Sequence, residues 1–291
     1  MQVALSELRN RSAKLKEALK NCHICPRKCG VNRISGEIGV CRIGSKARVS
    51  SYGLHFGEES VLVGGRGSGT VFFAGCPLRC MYCQNYDISQ LCHGYDVDIR
   101  ELGEIFLEIE RMGALNLNLV TPTHVVPMIV EALEYALERG FSLPIVYNTG
   151  GYDSIETLKL LDGIVDIYMP DVKYADNEVS RKYSLCPDYW DVARMAIKEM
   201  HRQVGDLVIK EGIATKGLLV RHLVLPHRLA GSFEVLDFLK SVSPNTAVNI
   251  MDQYYPAYRA FEYPELKRRI TREEYEEVLI YALRLGLRVI R

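Results

Sequence analysis

From residue 70 onward the chain repeats one pattern. Short apolar runs, β-branched or aromatic, alternate with longer stretches whose apolar residues recur every three or four positions. The runs predict strands at 70–75, 115–120, 143–148, 164–169, 218–225 and 246–251. The stretches between them predict helices at 99–112, 124–139, 154–162, 188–204 and 232–241. Strands alternating with helices predict an α/β fold with a parallel sheet and right-handed crossovers. Upstream, Leu5, Leu8, Leu15 and Leu19 fall near helical spacing and predict a packing helix. Residues 47–56 read as strand with a turn. The glycine run at 64–69 lacks the lysine of a phosphate-binding loop and precedes a strand, so it predicts a flexible entry to that strand. Near the end, Thr271 and Glu274 form a capping pair for a last helix.

The chemistry gathers on cysteines. Cys76, Cys80 and Cys83 stand at C-x3-C-x2-C spacing directly after the first strand of the alternating pattern. Gly75 and Pro77 end that strand, so the thiols project from a loop at its C-terminal end, where α/β folds build ligand sites. Three thiolates can hold three irons of a [4Fe–4S] cluster and leave the fourth open. A zinc knot or inert buried thiols are the bland alternatives. A second set, Cys22, Cys25, Cys29 and Cys41, has C-x2-C-x3-C-x11-C spacing. Four thiolates suit either a structural zinc or a fully ligated second iron–sulfur cluster. A metal-free reduced loop suits this segment less, because it has few apolar residues with which to fold alone.

Composition narrows the picture further. Lys+Arg and Asp+Glu balance at 36 each, so no global field favours nucleic acid or an anionic membrane. Arg27, Lys28, Arg33, Arg42, Lys46 and Arg48 make the second cysteine segment basic. With few aromatics beside them they read as a solvated face or docking surface. No stretch is apolar enough to span a bilayer, and the charged N-terminus has no signal core. Nine cysteines in close clusters then point to metal binding in a reducing cytoplasm rather than to disulfides.

The CPLRCMYC stretch, including Tyr82 before its last cysteine, resembles the signature of the radical SAM superfamily. Matches in order along nearly the whole chain are similar to its PflX-type group, relatives of pyruvate formate-lyase activating enzyme. They are CHICPRKCGVNR with Cys41, CPLRCMYCQN, NLNLVTPTH, YNTGGYD, DIYMPDVKY, VRHLVLP and MDQYYPAYRA. The resemblance implies an open (β/α)6 partial TIM barrel at 61–271, preceded by a helix at 1–20 and a cysteine-rich metal-binding extension at 21–60. A C-terminal helix and tail follow at 272–291. It implies a [4Fe–4S] cluster on Cys76, Cys80 and Cys83, with S-adenosylmethionine (SAM) chelating the open iron. Reductive cleavage of SAM then gives methionine and a 5′-deoxyadenosyl radical, which abstracts hydrogen from a substrate. By resemblance that substrate is a glycine in a glycyl-radical enzyme, and the electron comes from a donor such as flavodoxin or ferredoxin. Two alternatives stay open: a radical SAM reaction on a small molecule or peptide, and a non-enzymatic metal-binding module.

In such a barrel the working groups follow the strands. Thr121 and Thr123 stand where family members carry the Gly-Gly-Glu that receives the methionine ammonium, although Thr123 could instead cap the next helix. Asn148 and Thr149 follow the third strand. Asp171 and Lys173 resemble the Asp-x-Lys of the activating enzymes, which lies near SAM. Arg221 suits a carboxylate through its bidentate fork, and strand alternation favours it over His222. Tyr82 and Gln253 complete the expected SAM contacts.

Overall fold

The protein is described by a computed structural model covering residues 3–290. Its strands, among these residues, are β1 (Ala47–His55), β2 (Ser68–Phe73), β3 (Tyr95–Val97), β4 (Leu117–Val120), β5 (Ile145–Thr149), β6 (Ile167–Pro170), β7 (Val208–Lys210), β8 (Ile213–Leu223), β9 (Ala247–Met251) and β10 (Arg288–Val289). They form one sheet in the order β10-β9-β8-β6-β5-β4-β2-β1-β3, with β7 paired to β8. From β2 through β4, β5, β6, β8 and β9 to β10 every pairing is parallel. β1 runs antiparallel to both β2 and β3. This is the expected α/β fold with a mostly parallel, open barrel sheet.

Alternation along the strands separates two cores. One face carries Leu119, Tyr147, Tyr168, Val220 and Val248, which share a buried cluster with Phe106, Ile129 and Leu236 of the crossover helices. The opposite face carries Val146, Ile167, Met169, Leu219 and Ala247, which pack with Leu62 into a smaller cluster. Leu62 belongs to the short helix Ser60–Val63, so the β1–β2 connection plugs the barrel interior. Leu207 and Ala214 complete that inner cluster from the β7–β8 hairpin.

The crossover helices are Ile99–Arg111, Val126–Leu137, Ile155–Leu160, Tyr189–Val204 and Ser232–Val242, close to the expected bounds. The helix after β4 begins at Val126 with Pro127 in its first turn and has no side-chain cap, so Thr123 does not cap it. A further helix, Asn177–Ser184, falls outside the expected set; its NEVSRKYS run offers little apolar periodicity. At the C-terminus, Thr271 and Glu274 do form a reciprocal capping box for Arg272–Arg284. The N-terminal helix Leu5–Glu17 buries Leu8 and Leu15, and ties itself to Val126–Leu137 through Arg9–Glu134 and Lys16–Glu131 ion pairs.

Candidate active site

One cavity of about 520 Å³ opens at the C-terminal ends of the barrel strands. Cys76, Cys80 and Cys83 line it from the loop after β2. Gly75 turns the chain into this loop at φ 80°, a conformation that suits glycine. A donor faces each sulfur. Leu78 N donates to Cys76 Sγ at 3.4 Å, Ser184 Oγ to Cys80 Sγ at 3.0 Å, and Ser89 Oγ stands 3.0 Å from Cys83 Sγ. Burial pushes the Cys76 and Cys80 thiols up from their ordinary range, and neighbouring cysteines add to the shift at Cys76. Three thiols, each met by a donor and with the Lys173 ammonium opposing the shift at Cys76 and Cys80, suit a bound metal that would hold them as thiolates. Among the described residues no three His, Cys, Asp or Glu side chains already close on a single-ion position. Each of the three thiols would bind a different iron of a cube, so they need not converge on one point.

The strands β4, β5, β6 and β8 supply the rest of the wall. Thr121 lines the cavity at φ 59°, left-handed backbone that a β-branched residue adopts only under strain. Its amide is held by Asn148 O at 2.8 Å. Asn148, Thr149 and Gly150 line the next edge, followed by Asp171 and Lys173. Lys173 Nζ donates to Asp171 Oδ2 at 2.7 Å. Burial opposes the Lys173 charge, but Asp171 and then Cys80 more than offset it, and the ammonium is held well above its ordinary range. Tyr189 fastens both loops: its hydroxyl lies 2.9 Å from Gly150 O, Asp171 O and Lys173 N.

Arg221 reaches the cavity but is largely spent on two carboxylates. Its Nε and Nη2 grip Glu59 at 2.7 Å each, and Nη2 also pairs with Glu58. Only Nη1 is left, 3.5 Å from Asn148 Oδ1. Burial would raise the Glu59 carboxyl, yet Arg221 and Asn249 bring it below its usual range. His222 points the other way, as alternation requires. It is fully buried, donates to Val172 O at 2.7 Å and accepts from Ser232 Oγ at 2.8 Å.

Three expected SAM contacts lie off the cavity wall. Tyr82 packs edge-on against Tyr174 and Tyr254. Thr123 Oγ1 donates to Asp153 at 2.7 Å, in a buried knot where Tyr147 and Thr149 also donate to that carboxylate. Gln253 is exposed, and its carbonyl accepts from Gln84. Conversely, His55, Glu58, Ser51 and Phe72 line the cavity although no motif marks them. They come from the β1–β2 hairpin, whose fold across the barrel mouth leaves no local signature.

The second thiol set lies in the 22–41 segment. Cys22, Cys25 and Cys41 are buried and Cys29 half-buried. Val40 N donates to Cys29 Sγ at 3.5 Å, and Arg33 Nη1 stands 3.9 Å from Cys22 Sγ. Burial pushes the Cys25 thiol up to about 12, with Cys41, Cys22 and Cys29 adding to the shift. Among the described residues these four thiols do not already close on a single-ion position. The basic residues around them divide: Arg27, Arg33 and Arg42 donate to main-chain carbonyls of the protein body, whereas Lys28 and Lys46 are exposed, as a solvated face would have them.

An open parallel barrel with three thiols above its rim defines a class of cluster-binding protein, and comparison with known proteins agrees. The family model described as "Radical SAM superfamily" matches residues 70–209. An uncharacterized protein of Methanocaldococcus jannaschii is 37% identical over 285 residues, 94% of this chain and 78% of that one. The chain belongs to the radical SAM superfamily, whose cofactors are a [4Fe–4S] cluster and SAM. Among solved structures, a radical SAM methyltransferase from Sphaerobacter thermophilus superposes with a TM-score of 0.52 at 12% identity, over 76% of this chain and 65% of that one. HydG, a maturase of the [FeFe]-hydrogenase, gives 0.50 at 12%, over 98% and 62%. The chain thus spans less than two thirds of either structure, and at this identity the likeness is one of fold.

Proposed function

We propose that the protein is a radical SAM enzyme whose substrate is a glycine in a glycyl-radical enzyme. The observation that carries this reading is the placement of the Asp171–Lys173 pair on the same cavity wall as Cys76, Cys80 and Cys83. Those three thiols would hold the cluster and leave one iron to SAM. When bound and reduced, the cluster supplies the electron that splits SAM into methionine and a hydrogen-abstracting 5′-deoxyadenosyl radical. The chain's own residues bind, orient and shield. Lys173, and Nη1 of Arg221, offer cationic donors to a carboxylate. Thr121 offers a hydroxyl and a carbonyl to an ammonium in place of the usual Gly-Gly-Glu. Asn148 offers its side-chain amide to a ribose, while Thr149, its hydroxyl held by Asp153, shapes that edge of the wall. Tyr189 keeps the loops carrying Lys173 and Gly150 in register, so these groups are set before a ligand arrives. Cys22, Cys25, Cys29 and Cys41 would hold a second metal centre, zinc or iron–sulfur. A one-electron donor of the flavodoxin or ferredoxin class would reduce the cluster. All nine cysteines are free, which fits a reducing cytoplasm.

The cavity, about 520 Å³ and charged at the His55–Glu58 side, also favours a second reading, a small-molecule substrate. Isotope transfer separates the two. The reduced, loaded protein is mixed with SAM and a glycyl-radical enzyme deuterated at its target glycine. Deuterium in the 5′-deoxyadenosine formed is the expected result. Formation without label, whichever glycyl-radical enzyme is supplied, turns the assignment to a small molecule. No 5′-deoxyadenosine from fully loaded, reduced protein leaves only a metal-binding module.

A further inference from the structure

The 22–41 segment is built into the wall behind the 76–83 loop, and Arg27 is the main rivet. Arg27 lies between Cys25 and Cys29. Its Nε donates to Pro77 O at 2.8 Å, Nη1 to Leu185 O at 2.5 Å and Nη2 to Ser184 O at 3.4 Å. The guanidinium also lies over the Tyr152 ring, 5.5 Å from its centre. Pro77 follows Cys76 in the chain. Ser184 donates through Oγ to Cys80 Sγ, while its carbonyl accepts from Arg79 N at 3.1 Å. One side chain therefore joins three segments, two of which hold or touch the cavity's thiols.

Two more arginines of the same segment repeat the theme. Arg42 donates to Gln90 O at 3.1 Å, and Gln90 Nε2 donates to Leu78 O at 3.3 Å. Arg33 donates to His124 O at 2.8 Å, and His124 Nε2 donates to Ala74 O at 2.8 Å. The Cys41 carbonyl packs so closely on Gly75 that a Cβ there would lie 2.5 Å from it. Carbonyls splayed in different directions need a planar fork with several donors, which arginine has and lysine lacks.

We propose that Arg27 is a positioning residue for Cys76 and Cys80, and that metal in the 22–41 set acts through it. The segment has four thiols and little apolar core of its own, so a bound metal would stiffen it. Once stiff, it holds Pro77 against Ser184 and orders the neighbouring loop. Filling one thiol set thereby improves the other, a coupling between two sites through one side chain. The radical SAM reading enters only in naming what the 76–83 set would bind.

Backbone amide exchange over residues 76–92 tests this on the full, anaerobically prepared chain. The comparison takes the unaltered protein, Arg27→Gln, Cys25→Ser and the double variant. Each single change is expected to speed exchange in that stretch about tenfold, equivalent to roughly 1.4 kcal/mol. The double variant is expected to be no faster than the faster single, because both cut the same link. Arg27→Lys is expected to recover part of the protection, and it replaces Arg27→Gln in the cycle if the latter does not fold. The electron paramagnetic resonance line shape of the reduced cluster with SAM is expected to change in the same variants. Unaltered exchange in the Arg27 variants, or rates that simply add in the double, would overturn the proposal. Coupled exchange in a chain that takes up no iron at 76–83 would instead sink the radical SAM reading and leave the rivet standing.

Discussion

Arg221 stands on the inward face of β8, as strand alternation requires, but its partners are 162 and 163 residues away in sequence. A sequence can place a residue on a face; it does not say which distant carboxylate will meet it there. Arg221→Met should therefore strand the buried Glu59 carboxylate and destabilise the fold by about 3–5 kcal/mol. Adding Glu59→Gln should recover part of the loss, and urea unfolding of both variants checks this. Lys173→Met should behave differently. Its partner Asp171 is a quarter exposed and faces the open cavity, unlike the sealed Glu59, so the melting temperature should fall much less than in Arg221→Met. SAM binding should weaken by about 1.5–3 kcal/mol, read by titration of the loaded protein. His222 adds a pH dependence. Burial lowers it from 6.5 to about 4, and its contacts with Val172 O and Ser232 require the neutral ring. A base depressed in the folded state stabilises above its unfolded value, and that stability is lost as pH falls toward the folded one. Between about pH 7 and pH 5 His222 should cost about 2 kcal/mol, and His222→Gln should remove that part of the slope in urea unfolding.

At the scale of elements, the parts with strong periodicity are legible in the sequence and the parts set by distant partners are not. The six parallel barrel strands and five crossover helices follow from alternating periods, with bounds shifted by a few residues. β3, β7 and β10 are edge pieces of two or three residues, too short to carry a period of their own. The plug helix Ser60–Val63 adjoins the glycine run that reads as a flexible entry, and its four residues are too few for a helical period. Of the expected SAM contacts, Thr121 reaches the cavity and Thr123 does not, because Asp153 draws the Thr123 hydroxyl into a buried knot. Thr121 is the informative member of that turn. Its left-handed backbone costs about 1–2 kcal/mol, of which glycine would recover all but its own chain entropy. Thr121→Gly should thus stabilise the protein by about 0.5–1 kcal/mol while loosening SAM, since the hydroxyl and the fixed turn are lost together. A variant that is both less stable and unchanged toward SAM would place the strain outside function.

The whole molecule carries two thiol sets against one wall, and their occupancy can be read separately. Cysteine spacing alone marks both sets. It does not show that they pack against one another, which only folding the 22–41 segment onto Gly75 and Pro77 brings about. Replacing Cys76, Cys80 and Cys83 by Ala removes the thiols on the cavity side and leaves the other four. The fold should survive, because the loop keeps its main-chain anchors to Tyr183 and Ser184 and the Arg27 bond to Pro77. Iron should drop by about four per chain, and the dithionite-reduced resonance signal that responds to SAM should vanish. What remains bound then belongs to Cys22, Cys25, Cys29 and Cys41. Residual zinc near one per chain would make that site structural; residual iron near four would make it a second cluster. A triple variant that still shows the SAM-responsive signal would move the working cluster to the 22–41 set and reverse the roles assigned to the two.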